Sequence, residues 1–546
     1  MRALFNSQTK TVTFAAILLA GSVLISRLLG LLRDRLLAGK FGAGAELDIY
    51  FAAFRIPDFV YGILIMGGIT AVFLPVFSEY FKKSQEEGWQ LASNVLNCFL
   101  VLLISACAVL AVLAPVLIKF IAPGFDSEQK SLAISLTRIM FLSPVLFGLS
   151  SVFSGVLHYF NRFFAYSLAP ILYNLGIIFG ILFLVPVLGI WGLAWGVVLG
   201  AFLHWVCQIP AAKASGFKYL PTFNFKFPGL LKIFKLMIPR TVGAAAYHIN
   251  LIVITAIAST LAAGSIAVFN FSNNLQYFPI GLVGSSFAIA SFPALSRAWA
   301  ERDKEKFLKG FSSVFRQILF LVVPISILMF LLRAQIVRLV LGTGEFDWLA
   351  TRLTAASLGL FCLGIFAFSF IPFLARVFYS FQDTKTPVAI GMGSVVLNIV
   401  LAISFVWLLG FENSFSQFVT AALKLQSIER ISVVGLPLAL SISGIFQFFL
   451  LLVFLRRKLG EIRLGEIWRS FWKVVVASVL MALVVYWVLQ LLAGLVDMNT
   501  FKGILAQTTG VLLVGATTYF LIACVLKSPE IKTIWSSILK QFTKTS

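Results

Sequence analysis

A chain of 546 residues that is 60% hydrophobic and only 12% charged cannot be a water-soluble globule, because soluble domains are about half apolar and about a quarter charged. Its mean hydropathy of +0.99 and its 56 phenylalanines suit side chains that face lipid. A net charge of +22 on a soluble protein would suggest nucleic acid. Here the basic residues fall in short loops, where they set topology and meet anionic lipid, so membrane lipids are the expected partner and no nucleic acid is expected.

The apolar pattern starts near the N-terminus. Arg2 and Lys10 precede a run from Phe14 that is long, carries Arg27 and lacks a small-x-small cleavage site. It reads as a first membrane helix rather than a cleaved signal. A helix needs about 20 apolar residues to cross the hydrocarbon. About fourteen such segments follow in order, at 12–38, 46–80, 91–120, 131–158, 164–186, 189–211, 228–262, 266–296, 308–341, 349–380, 386–411, 431–456, 468–495 and 502–526. The sequence therefore predicts an all-α polytopic membrane protein. Several segments exceed one crossing, so tilts and kinks are expected. The termini and even-numbered loops hold about 28 lysines and arginines against about 10 in the odd-numbered loops, which predicts that both termini are cytoplasmic. The densest basic clusters are Lys213 to Arg240, Arg297 to Lys309 and Arg456 to Lys473.

Charge is concentrated in the first two segments, which carry Arg27, Arg33, Asp34, Asp48, Arg55 and Asp58. A charge near the bilayer centre costs about 2.5–3.5 kcal/mol on insertion scales, so these residues should face the bundle interior or a wet cavity. Arg27 and Asp34, seven apart, share a helical face, with Arg33 about 100° round. Arg55 and Asp58 flank Pro57, where a break is expected. Two readings stand. In one, Arg27, Arg33 and Arg55 form a cationic cavity for an anionic headgroup, since the planar guanidinium binds two phosphate oxygens at once. In the other, Arg27–Asp34 and Arg55–Asp58 are internal ion pairs, and the residues from Arg33 to Lys40 reach the interface. Structural pairing is the expected role of Asp34, Asp48 and Asp58. Arg138 and Arg376, near segment ends, read as snorkelling residues.

Other features are structural. Gly192-x-x-x-Gly196-x-x-x-Gly200 resembles a close helix-packing face. Prolines at 57, 75, 279 and 293 interrupt segments two and eight, as static kinks or as hinges. Cys98, Cys107, Cys207, Cys362 and Cys524 lie in or next to apolar runs, without metal-ligand spacing, and read as small core residues. His158, His204 and His248 are scattered, so neither a zinc site nor a Ser–His–Asp triad is expected. No G-x-x-x-x-G-K phosphate loop occurs, so no nucleotide cofactor of that kind is expected.

Three local matches recur about 220 residues apart. Ala122-Pro-Gly-Phe125-Asp126 is echoed by Gly342-Thr-Gly-Glu-Phe346-Asp347, Phe73-Leu-Pro75 by Ser291-Phe-Pro293, and Tyr159-Phe-Asn-Arg-Phe by Tyr379-Ser-Phe-Gln-Asp383. That offset spans six helices, an even number, so the halves are expected to enter the membrane the same way round, as a parallel repeat. The predicted organisation is a six-helix lobe at 1–220, a second at 221–460, and two additional helices with a tail at 461–546.

The motifs resemble the MurJ/MviN family of lipid II translocases. The matching residues are Ser26-Arg27-Leu-Leu-Gly30-x-x-Arg33-Asp34, Phe41-Gly-Ala-Gly44 with Asp48, and Ala53-Phe-Arg-Ile-Pro57. Further along are Asn161-Arg162-Phe163, Ala169-Pro170 with Asn174, and Phe378-Tyr-Ser-x-Gln382-Asp383-x-Lys385-Thr386-Pro387. The resemblance implies the fold of the multidrug/oligosaccharidyl-lipid/polysaccharide exporter superfamily. Two six-helix lobes would surround a central cavity, and two extra helices would add a hydrophobic groove. It implies that the chain flips an undecaprenyl-pyrophosphate-linked peptidoglycan precursor from the cytoplasmic to the periplasmic leaflet of the inner membrane. Arg27, Arg33, Asp34 and Asp48 stand at family positions tied to function, and Arg55 at a basic one. The chain departs from the family at Tyr61 and Asn274, where the family has arginines, and at Met66, where it has an acidic residue. Tyr61 and Asn274 remain candidate substrate-binding residues without charge.

The expected mechanism is alternating access driven by membrane potential or an ion gradient, with cell-wall synthesis enzymes as further partners. Other readings are a flippase for another lipid-linked oligosaccharide, a multidrug or cation antiporter of the same superfamily, which would want buried carboxylates, and a non-transporting scaffold for cell-envelope synthesis. No loop is long enough for an integral-membrane glycosyltransferase.

Overall fold

Runs of apolar residues with hydrogen-bonded backbones leave few options in lipid, and this chain takes the helical one. The structure, a computed structural model, describes residues 12–531, without the side chains of 12–17, 66–68, 70–71, 239–240, 242 and 244. Among the described residues every regular element is helical. Ten helices are long and apolar enough to cross a membrane, or eleven if Trp348–Cys362 and Ile365–Ser380, bent by 48° at their break, form one span. Among the described residues this count neither reaches nor excludes the fourteen crossings predicted. The other three predicted segments are helical, and each includes residues whose side chains lie outside the described ones. Val12–Phe41 holds Arg27, Arg33 and Asp34. Ala45–Val60, a π-helical stretch Tyr61–Ile69 and Thr70–Lys83 follow in series and hold Asp48, Arg55 and Asp58. Pro228–Ser259 holds Lys232 and Lys235 near its start and contains the apolar stretch Ala245–Ser259.

Helix starts are closed by side chains placed where the first N–H groups lack partners. Ser84 accepts from the Glu87 N–H, Asp303 from Lys306, Asn413 from Ser416 and Thr500 from Gly503. Asp126 and Gln129 form a reciprocal capping box at the start of Ser127–Met140.

The chain divides into two compact units: residues up to Ala267 with Thr343–Phe346, and Val268–Gly342 with Asp347 onward. The helix Pro228–Ser259 thus packs with the first unit. In that unit, Phe163–Phe179 and Trp191–Val206 approach closely along the predicted glycine series. A Cβ on Gly176 would lie 2.3 Å from the Gly200 Cα, and one on Gly180 2.6 Å from the Gly196 Cα. Near one end of the unit, Phe77, Phe81, Trp89, Tyr159 and Phe160 form a ring cluster with centroids 5.0–5.8 Å apart. The second unit is built on phenylalanine. Phe315 stacks on Phe370 at 4.2 Å and Phe311 on Phe373 at 5.5 Å. The helices Leu464–Leu495 and Phe501–Val525 dock on Lys304–Leu331 through Val474, Met481, Val485, Val511 and Tyr519. The Tyr519 hydroxyl, buried there, donates to the Phe320 carbonyl at 2.7 Å.

The repeat extends beyond the matched residues into backbone geometry. Asp126 and Asp347 each N-cap a helix, accepting from Gln129 and Ala350 at 2.9 and 2.7 Å. Asn161 and Gln382 both sit in the left-handed region, at φ 55° and 61°. The N–H that follows each donates to an equivalent carbonyl, Arg162 to Leu157 and Asp383 to Phe378. Helices start at Ala45 and Ser265, and each is broken by π turns, Tyr61–Ile69 and Ile280–Ser285.

Candidate functional site

The predicted site residues fall in both units, and each group stands in its own unit. In the first unit the helix Val12–Phe41 places Arg33 and Asp34 side by side. The carboxylate Oδ1 of Asp34 accepts from Arg33 Nη2 at 2.8 Å and from Nε at 3.1 Å. Asp34 is 5% exposed and Arg33 24%. The carboxylate therefore holds one edge of the guanidinium while the rest keeps partial access. Arg33 Nη1 also lies 3.5 Å from Asn174 Oδ1. Asn174 is itself fixed, its amide donating to Ser26 Oγ at 3.1 Å and to the Pro170 carbonyl at 3.1 Å. Arg27, two turns before Asp34 on the same helix, is half-buried.

The remaining charges of this unit are held by groups distant in sequence. Asp48 is buried, and its two oxygens accept from the N–H of Gly264 at 2.7 Å and of Ala267 at 2.8 Å. It caps the first turn of the helix that begins at Ser265, where the helix dipole favours negative charge. Arg55 is 8% exposed and its Nε donates to Thr255 Oγ1 at 2.7 Å. A buried guanidinium needs such partners, because an uncompensated one costs several kcal/mol. Asp58 Oδ2 lies 3.5 Å from His248 Nδ1. The His248 ring fills the space beside Gly62, at the start of the π-helical stretch. Tyr61 packs on Phe147 at 4.6 Å. The side chain of Met66 lies outside the described residues.

In the second unit, Asn274 sits half-buried on Ser265–Pro279. Its neighbours Asn270, Asn273 and Gln276 are buried, and Gln276 Nε2 donates to Asn273 Oδ1 at 2.9 Å. The helix thus carries an amide-rich face ahead of its π turns, with neutral donors where charge is absent.

Asp34 contacts Arg33, its chain neighbour. Asp58 lies beside His248, which spacing left scattered. Asn174, Thr255 and His248 are the residues that sequence reasoning did not place at the site. Asn174 stood in a recognised motif, whereas Thr255 and His248 carry no local signal. Among the described residues no three His, Cys, Asp or Glu side chains are grouped to hold a metal ion. Chemically, the first unit presents an arginine oriented by a carboxylate and an amide, the arrangement that suits a phosphate oxygen pair.

Comparison with known proteins points the same way. Residues 37–506 match the family described as "Lipid II flippase MurJ". The chain is 31% identical over 444 residues to the probable lipid II flippase MurJ of Vibrio cholerae, covering 76% of this chain and 82% of that protein. It superposes on a solved lipid II flippase MurJ in an inward closed conformation with a TM-score of 0.74 at 25% identity, over 93% of this chain and 98% of that one. An inward-facing multidrug resistance MATE family transporter of the MOP superfamily shares the fold, with a TM-score of 0.65 at 15% identity over 82% of this chain and 99% of that one. The family match covers most of the chain, and the chain belongs to the lipid II flippase MurJ family of membrane transporters.

Proposed function

We propose that this chain moves lipid II, a polyprenyl-pyrophosphate-linked peptidoglycan precursor, from the cytoplasmic to the periplasmic leaflet of the bacterial inner membrane. The observation that carries this reading is the Arg33–Asp34–Asn174 arrangement in a chain of the lipid II flippase MurJ family. A guanidinium held at one edge and partly exposed is pre-oriented to meet phosphate oxygens, which limits the ordering cost on binding. Arg27 and Arg55 supply further positive charge. Asp34 and Asp48 position backbone and side chain, and Tyr61 and Asn274 offer hydrogen bonds without charge. The transport cycle is alternating access, with no chemical conversion of the lipid. The π turns at Tyr61–Ile69 and Ile280–Ser285 are where bending is easiest, since π bulges interrupt regular helix bonding. Membrane potential or an ion gradient drives the cycle, both termini lie in the cytoplasm, and cell-wall synthesis enzymes receive the product. The functional division follows the repeat, with lobes at 1–220 and 221–460 and an appended pair at 461–546.

The test is complementation of a bacterial strain depleted of its lipid II flippase. Expression of the chain is expected to restore growth and cell shape. A stably inserted chain that leaves the strain inviable rejects lipid II as the substrate.

A further inference from the structure

A second basic recess lies in the second unit, apart from the charged residues above. The helix Gly435–Leu459 ends in Arg456, Arg457 and Lys458. The chain then turns through Gly460, at φ 77°, and Arg463, at φ 53°, into the helix Leu464–Leu495. The turn borders an open recess of about 740 Å³, with Arg456, Arg457 and Arg463 in its lining beside Val453 and Leu464. Glu461 is the only carboxylate in that lining.

The cations of this turn divide into two groups. Lys458 is taken by Asp383 at 2.7 Å and Arg463 by Glu466 at 2.7 Å, which fixes the geometry of the loop. Arg456 and Arg457 are exposed and, among the described residues, join no ion pair. Arg457 rests over the Phe454 ring at 5.6 Å, which orients its guanidinium without neutralising it.

Exposed aromatic residues stand on both helices that meet at this turn. One turn from Val453 on the same helical face is Phe449, 53% exposed, and one turn from Leu464 is Trp468, 58% exposed. Trp472 packs against Trp468 at 5.5 Å. Exposed indoles mark the headgroup level of a membrane protein. A free anion would be satisfied by arginines alone. Arginines flanked by exposed aromatic residues at the membrane interface match a molecule with an anionic head and apolar chains.

We propose that this recess binds an acidic phospholipid, with its phosphate diester against Arg456 and Arg457 and its chains along Phe449 and Trp468. The site is separate from the Arg33 group and does not depend on the lipid II reading.

The test uses the full chain in mild detergent, with bound lipid counted by native mass spectrometry. Short-chain phosphatidylglycerol is expected to be retained at least about fivefold over phosphatidylcholine, the factor one arginine near an acidic headgroup contributes. The double variant Arg456→Gln/Arg457→Gln is expected to lose that preference, and Lys502→Gln, at the start of the helix Phe501–Val525, to keep it. Equal retention by the double variant and the parent overturns the proposal. So does full displacement of the lipid by inorganic phosphate at equal concentration, which would mark a free-anion site. A second readout needs no arginine variant. Phosphatidylglycerol with brominated chains is expected to quench tryptophan emission less in Trp468→Phe than in the parent, and an unchanged degree of quenching overturns the placement of the chains.

Discussion

The Arg33 guanidinium turns back onto the carboxylate of its own chain neighbour, with Nη2 2.8 Å from Oδ1 of Asp34. Consecutive helical residues point about 100° apart, so this contact requires both side chains to bend toward each other. Asp34→Asn keeps the shape but removes the charge that orients Arg33. Lipid II transport by this variant is expected to fall severalfold, beyond what its loss of thermal stability in detergent explains, since the buried carboxylate also supports the fold. Asp34→Asn transport equal to that of the parent would separate the pair from function.

Arg55 and Thr255 predict the opposite balance. Arg55 is nearly sealed and its Nε is satisfied by the Thr255 hydroxyl. Thr255→Val keeps volume and removes the acceptor, and a loss of about 1–3 kcal/mol in unfolding free energy is expected from weakened support of a buried charge. The measurement is thermal unfolding of the purified chain, with Thr255→Ser as the rescuing control.

Much of this was legible in the sequence, and the reasons are specific. The helical class followed from uninterrupted apolar runs, and Phe125-Asp126 against Phe346-Asp347 pointed to a repeat because an N-cap needs its carboxylate at a fixed place. The shared left-handed residues Asn161 and Gln382 were hidden, since neither is glycine. Pro57 and Pro279 signalled breaks in segments two and eight, but proline alone does not specify π turns. The partners of Asp48, Arg55 and Asp58 lie about 190 to 220 residues away, and no local period encodes a contact of that range.

The glycine series gives a steric prediction. A Cβ on Gly176 would meet backbone atoms of Gly200, whereas nothing lies within 4 Å of one on Gly393. Gly176→Ala is expected to destabilise the chain by about 1–3 kcal/mol, because backbone cannot yield as a side chain can. Gly393→Ala is expected to be neutral or slightly stabilising, by up to about 1 kcal/mol. Melting temperatures of the two variants compared with the parent decide the matter.

Asp383 sits between two helices, outside the membrane-spanning segments. Burial opposes its charge, but hydrogen bonds from Lys458 and Thr386 prevail and hold its carboxyl below the usual range. A carboxyl whose folded value is depressed contributes stability above its unfolded value near about 3.9, and that contribution fades as pH falls through the folded value. Asp383→Asn is therefore expected to melt lower than the parent at neutral pH, with the gap closing as pH drops below about 4. A gap of constant size across that range would show that the charge is not what matters.

The central claim is that the oriented Arg33 guanidinium engages a phosphate-bearing lipid head. Its most direct test is lipid II translocation in proteoliposomes by Arg33→Ala and Arg33→Lys, each verified as inserted. The account predicts loss of transport with alanine and severe impairment with lysine, which keeps the charge but not the planar fork. Transport by Arg33→Ala at the rate of the parent would contradict it.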